Sequence, residues 1–98
     1  MDNRDIIRTN NVLVRIMKLE KGSSTEWHHH TEVTDFFVGL QGLVRVEARN
    51  PDEAVTLHPG QRSEIAHHHI HRVVNAYDGT SEYLLAQGIG QYDFIKSP

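Results

Sequence analysis

Nine consecutive residues, Trp27-His28-His29-His30-Thr31-Glu32-Val33-Thr34-Asp35, hold three histidines and two acidic side chains. A second run, His67-His68-His69-Ile70-His71, follows about forty residues later. Neutral imidazole and carboxylate are common protein ligands for first-row transition metals, so two such runs point to metal chemistry. Spacing decides which side chains can cooperate. His28 and His30 are two apart, so on an extended segment they share a face while His29 points the other way. Asp35 follows His30 by five positions, across a short turn that can fold it back beside the pair. His71 must come from a separate strand, and His67 and His69 share its parity. Two close histidines, one carboxylate and one distant histidine make an N/O site suited to Mn, Fe, Co, Ni, Cu or Zn.

The chain around these residues reads as strand and turn throughout. Asn11 to Leu19 is rich in β-branched residues, with Val12, Val14 and Ile16 on one parity and Arg15 on the other; Met17 and Leu19 indicate that both faces are partly covered. Residues before Ile6 read as a short disordered or strand-leading arm. Trp27 to His30 is extended and Thr31 to Thr34 turns. Phe36 to Leu40 is an apolar run, expected as a buried strand. Leu43 to Arg49 alternates, with Val44, Val46 and Ala48 opposite Arg45, Glu47 and Arg49. Val55 to Leu57, Arg72 to Asn75 and Glu82 to Ile89 read as further strands, and Asp93 to Ile95 as an edge strand. Turn signals at Asn50-Pro51, Pro59-Gly60 and Asp78-Gly79 separate them. Short strands with a turn every ten or so residues imply an all-β sandwich or barrel, and no window has a helical period with caps.

Ninety-eight residues make one domain, spanning 1–98. With no cysteine there is no disulfide framework and no thiolate chemistry, which fits a reducing, cytoplasmic setting. The formal net charge is −3, with acids and bases interleaved. A nucleic-acid scaffold, which shows a basic stripe, is not expected. Met1 to Asp5 mixes charges and leads into no long apolar segment, so neither a signal peptide nor a membrane span is expected.

The spacing resembles that of the cupin superfamily, small double-stranded β-helix (jelly-roll) barrels. The first cupin motif is Gly, five residues, His-x-His, three or four residues, Glu, six residues, Gly. This chain has Gly22, five residues, His28-His29-His30, four residues, Asp35, six residues and Gly42, with Asp in place of Glu. The second motif is Gly, five residues, Pro-x-Gly, two residues, His, three residues, Asn. Here it reads Gly60, five residues, Ala66-His67-His68, two residues, His71, three residues, Asn75, with Ala66 for Pro and His68 for Gly. The resemblance implies that His28, His30 and His71 take the three histidine positions and Asp35 the carboxylate position of a site for one divalent metal. Asp35, one methylene shorter than Glu, then either ligates, reaches the metal through a water, or braces a ligand histidine.

The resemblance also implies a metal-dependent enzyme on a small oxygenated molecule: a dioxygenase, decarboxylase, isomerase or lyase. Glu64, His69 and Tyr83 are the acid/base candidates near the metal. The alternatives are a non-catalytic metal or ligand-binding module, and a metal-free barrel. His29, His67 and His68 are expected outside the site, Trp27, Phe36 and Phe37 in the core, and Arg62 and Glu64 as exposed strand charges. Open sheet edges and scattered apolar positions suggest a homodimer.

Overall fold

A computed structural model describes residues 3–98. Ten strands appear in order: β1 (Arg4–Arg8), β2 (Val12–Leu19), β3 (His28–His29), β4 (Thr34–Gln41), β5 (Val44–Ala48), β6 (Glu53–Leu57), β7 (Arg62–Ile65), β8 (His71–Asn75), β9 (Ser81–Gly88) and β10 (Ile95–Lys96). They form two five-stranded sheets, ordered β1-β2-β9-β4-β7 and β10-β3-β8-β5-β6, every pair antiparallel. The sheets face each other and enclose the core, so the all-β double-stranded β-helix expected from the sequence is the fold. Among the described residues there is no helix, hence none long and apolar enough to cross a membrane.

Alternation fixes which side chains enter. On β9 every odd residue from Ser81 to Gln87 is buried and every even one is partly exposed. On β5, Val44, Val46 and Ala48 point inward, as their spacing required. Leu19, Phe37, Leu57 and Tyr83 fill the interior between them.

Three sequence readings are sharpened or corrected by the structure. Within the arm before Ile6, Arg4 and Asp5 already belong to β1, which gains its place by pairing with β2, while Met1 and Asp2 lie outside the described residues. Phe36 to Leu40 is not buried throughout: Phe37 faces the core, but Phe36 and Leu40 are 44% and 41% exposed on the outer face. In β2 the inward parity belongs to Leu13, Met17 and Leu19. Arg15 shares it and therefore lies inside the barrel, while Val12, Val14 and Ile16 face outward.

Away from the histidines, Asn75 ties the connections together. Its side-chain amide donates to the carbonyls of Leu19, Glu20 and Gly79, and its oxygen accepts from the Ser81 hydroxyl at 2.7 Å. The motif asparagine is thus a buried fastener that satisfies turn carbonyls which would otherwise be stranded. Gly42 follows the same logic. Its φ is +71°, and a Cβ there would collide with the Ser81 hydroxyl.

Candidate metal centre

Four side chains converge between the sheets. His28 on β3 and His71 on β8 are direct cross-strand partners, so their rings share one face with centroids 4.4 Å apart. His30 follows β3 on the same parity as His28, its ring centroid 4.9 Å away. Asp35 enters from the opposite sheet at the start of β4. All four are buried, at 5%, 2%, 1% and 1% exposure for His28, His30, Asp35 and His71. One nitrogen or oxygen from each lies within 4.8 Å of all the others.

The far side of each ring explains why they aim inward. Nδ1 of His28 lies 2.6 Å from the Glu26 carbonyl, Nδ1 of His30 is 2.5 Å from the Asp93 carbonyl, and Nδ1 of His71 is 2.7 Å from the His69 carbonyl. A carbonyl can only accept, so each Nδ1 carries the hydrogen and donates it. In the neutral rings that leaves all three Nε2 atoms as lone-pair donors. A backbone carbonyl on Nδ1–H is the usual brace for a metal-ligating histidine, fixing both tautomer and ring orientation.

Asp35 Oδ2 sits 3.0 Å from His30 Nε2 and 2.8 Å from His71 Nε2, while Oδ1 accepts from the Gln87 side-chain amide at 2.9 Å. These contacts set the electrostatics. Burial alone would raise the Asp35 carboxyl, but its bonds to His30 and His71 outweigh that and hold it far below the usual carboxylate range. Burial pulls His30 down, yet the Asp35 carboxylate at its Nε2 prevails and leaves it raised. His28 has no such contact, and burial lowers it to about 4. The group is therefore three imidazoles around one ionised carboxylate.

A cavity of about 320 Å³ opens onto this group and is bounded on its inner side by Met17, Phe37 and Leu85. Tyr83 lines it, and burial raises its hydroxyl, so it stays protonated. The C-terminal segment forms the rim. Phe94 stacks on His28 with centroids 4.2 Å apart, and the Tyr92 ring lies 5.5 Å from His30. A larger depression, about 630 Å³, lies beside Trp27 and Arg49 and includes none of the four clustered residues.

Of the acid/base candidates, only Tyr83 faces the cavity. Glu64 is exposed on β7, outward beside Phe36, and His69 lies outside with Nε2 3.4 Å from the Pro51 carbonyl. The strand parity of β7 turns Glu64 out. His69 contributes its backbone rather than its ring, since its carbonyl braces His71. His67 and His68 are exposed, and His29 points away from the cluster, 6.4 Å from His68. Trp27 is not a core residue: it is partly exposed, with the guanidinium of Arg49 3.8 Å over its ring. Sequence reading passed over Gln87, Arg15, Tyr92 and Phe94. For Arg15 the signal was present in the apolar residues of its own parity; for the rim, no spacing rule connects Tyr92 or Phe94 to residues some sixty positions earlier.

The family model described as "Cupin domain" matches residues 15–86. The chain belongs to the cupin family. The matched stretch contains His28, His30, Asp35 and His71, and leaves the Tyr92–Phe94 rim outside. None of the curated proteins matches the chain. Among solved structures, a double-stranded β-helix protein from Klebsiella pneumoniae superposes with a TM-score of 0.83 at 16% identity, covering 96% of this cupin and 81% of that chain. A cupin superfamily protein from Desulfitobacterium hafniense gives 0.76 at 18% identity, with coverage of 89% and 75%. An oxalate oxidase in complex with the substrate analogue glycolate gives 0.85 at 13% identity; this cupin is covered to 99% but spans only 55% of that chain. At these identities the likeness is one of fold.

Proposed function

We propose that this cupin is a metal-dependent enzyme acting on a small oxygenated organic molecule, with His28, His30 and His71 as nitrogen ligands to one divalent transition metal. The observation that carries the reading is the set of three Nδ1–H bonds to backbone carbonyls, which leaves three Nε2 lone pairs converging beside an ionised carboxylate. Such a donor set fits a first-row ion, and Asp35, which faces the same Nε2 atoms of His30 and His71, is placed to join it.

The metal-free alternative carries a cost. With each Nδ1–H donated to a carbonyl, Asp35 can accept from both Nε2 atoms only if His30 and His71 are doubly protonated. Two imidazolium ions would then be buried around one carboxylate, a costly desolvation. A bound cation removes the conflict.

When bound, such a metal polarises a carbonyl or carboxylate, or lowers the pKa of a coordinated water. The chain supplies the rest. Met17, Phe37 and Leu85 keep the inner wall apolar, which strengthens every charge interaction inside. Tyr83, held protonated, can donate a hydrogen bond to a bound oxygen. Phe94 and Tyr92 narrow the entrance. Activity of metal-loaded protein towards small keto acids, catechols and sugar acids, lost in His28→Ala, supports the enzyme reading. Binding of these compounds without turnover, across the reconstituting metals, would instead favour a non-catalytic binding module. The cysteine-free composition supports a reducing, cytoplasmic setting.

A further inference from the structure

Arg15 is a cation inside the barrel that no carboxylate contacts directly. It lies on the inward parity of β2 and lines the same cavity as His28, His30 and Asp35. One guanidinium N–H donates to the Gln87 side-chain oxygen at 3.0 Å, and the group sits 5.0 Å over the Tyr92 ring. Among the described residues no carboxylate forms an ion pair with it, and its Nε is buried without a hydrogen-bond partner. A buried N–H left unpaired is costly, and more so on a charged group. Gln87 itself is fixed at both ends, since its amide nitrogen donates to Asp35 Oδ1. A single glutamine therefore separates the guanidinium from the metal-site carboxylate.

The charges in the cavity make the same point. Asp35 and Arg15 cancel, Glu26 at the edge is paired with Lys96 at 3.4 Å, and a divalent ion on the three neutral imidazoles leaves an excess of two positive charges in a space with an apolar inner wall. An anionic ligand is the complement of that field. Arginine's planar fork matches a carboxylate better than any other side chain does.

We propose that Arg15 is the anion-recognition residue of this site, holding a carboxylate of a small ligand whose other polar end faces the histidine cluster. The inference rests on the metal reading for that other end and for the excess positive charge, while the unpaired Arg15 Nε stands without it. The substrate class is then a small organic acid carrying a second oxygen function, and neutral sugars and alcohols are disfavoured.

The test compares succinate with succinamate, the same skeleton with one carboxylate replaced by a neutral amide, by calorimetry on protein first shown to hold one equivalent of zinc. Any contact with the metal is common to both probes, so their affinity ratio reads the second carboxylate. Wild-type protein is expected to favour succinate by about tenfold or more, the range for a charge-assisted hydrogen bond. In Arg15→Met the preference should vanish with zinc content unchanged, and Arg15→Lys should retain part of it. Equal affinities in the wild type overturn the proposal even if the variants do not fold, and so does a preference that survives in Arg15→Met. Protein that takes up no zinc counts against the metal reading alone, because succinate affinity compared between metal-free wild type and metal-free Arg15→Met still reads the Arg15 contact.

Discussion

Asp35 shows what a shorter carboxylate does at this position. One oxygen contacts both His30 and His71, and the other is held by Gln87. Every oxygen is engaged, so the side chain cannot turn away from the cluster. The same contact makes His30 a proton store in the ion-free protein, because its raised pKa keeps a proton near the position a metal would take. Metal uptake must expel that proton. Competition therefore starts above the ordinary histidine value and strengthens as pH falls, so metal affinity should drop steadily between about pH 8 and pH 5. His28, lowered to about 4, stays neutral through that window and adds nothing to the slope. Affinity measured by competition against a chelator at several pH values checks this; a flat profile would exclude histidine ligation.

At the scale of elements, the histidine-bearing strands are positioned by turns and by a distant segment. His68 occupies the place where the second cupin motif has glycine, and the backbone keeps the left-handed conformation, with φ +67°. Histidine tolerates that region better than β-branched residues do, but at a cost. His68→Gly should stabilise the protein by about 0.5–1 kcal/mol, the larger unfolded-state freedom of glycine offsetting part of the relief; urea unfolding would measure it. Asp93 works from the other end of the chain. Its carboxylate accepts from the Thr31 N–H at 2.9 Å and from the Thr31 hydroxyl, bonds that hold it below its ordinary pKa and keep it charged. Its own carbonyl braces His30. Asp93→Ala should weaken metal binding by roughly tenfold while leaving the barrel folded, seen in the same chelator competition together with an unchanged far-ultraviolet circular dichroism spectrum.

This is also the scale at which sequence reading reached its limit. Period-two alternation located most strands, and parity separated His28 and His30 from His29, because both are local properties. The inward face of β2 could not be chosen from its sequence, because the outward Val12, Val14 and Ile16 look more apolar than the face with Arg15 that actually forms the core. Such ambiguity arises when both faces of a sheet are apolar. The bracing of His30 by Asp93 joins residues 63 apart, a contact that no local pattern encodes.

For the molecule as a whole, that apolar outer face is the notable surface. Two cross-strand rows run over the first sheet: Ile7-Val14-Ala86-Phe36, ending at Glu64, and Ile16-Leu84-Val38, flanked by Arg4 and Arg62. An apolar band edged by charges of both signs suits contact with a second copy about a two-fold axis. We propose a homodimer through this face: sedimentation should give a dimer at micromolar concentration and a monomer for Phe36→Glu, and a monomeric wild type would refute it. The proposed site stands or falls with the metal, and metal content per chain is its plainest measure. Untagged protein, purified without chelator and supplied in turn with Mn, Fe, Co, Ni, Cu or Zn, should bind one equivalent per chain through imidazole nitrogen. His28→Ala and His71→Ala should each lose more than about 100-fold in affinity, beyond the loss expected for an outer partner. A wild-type chain that binds none of these ions, or variants that bind them as tightly as the wild type, would contradict it.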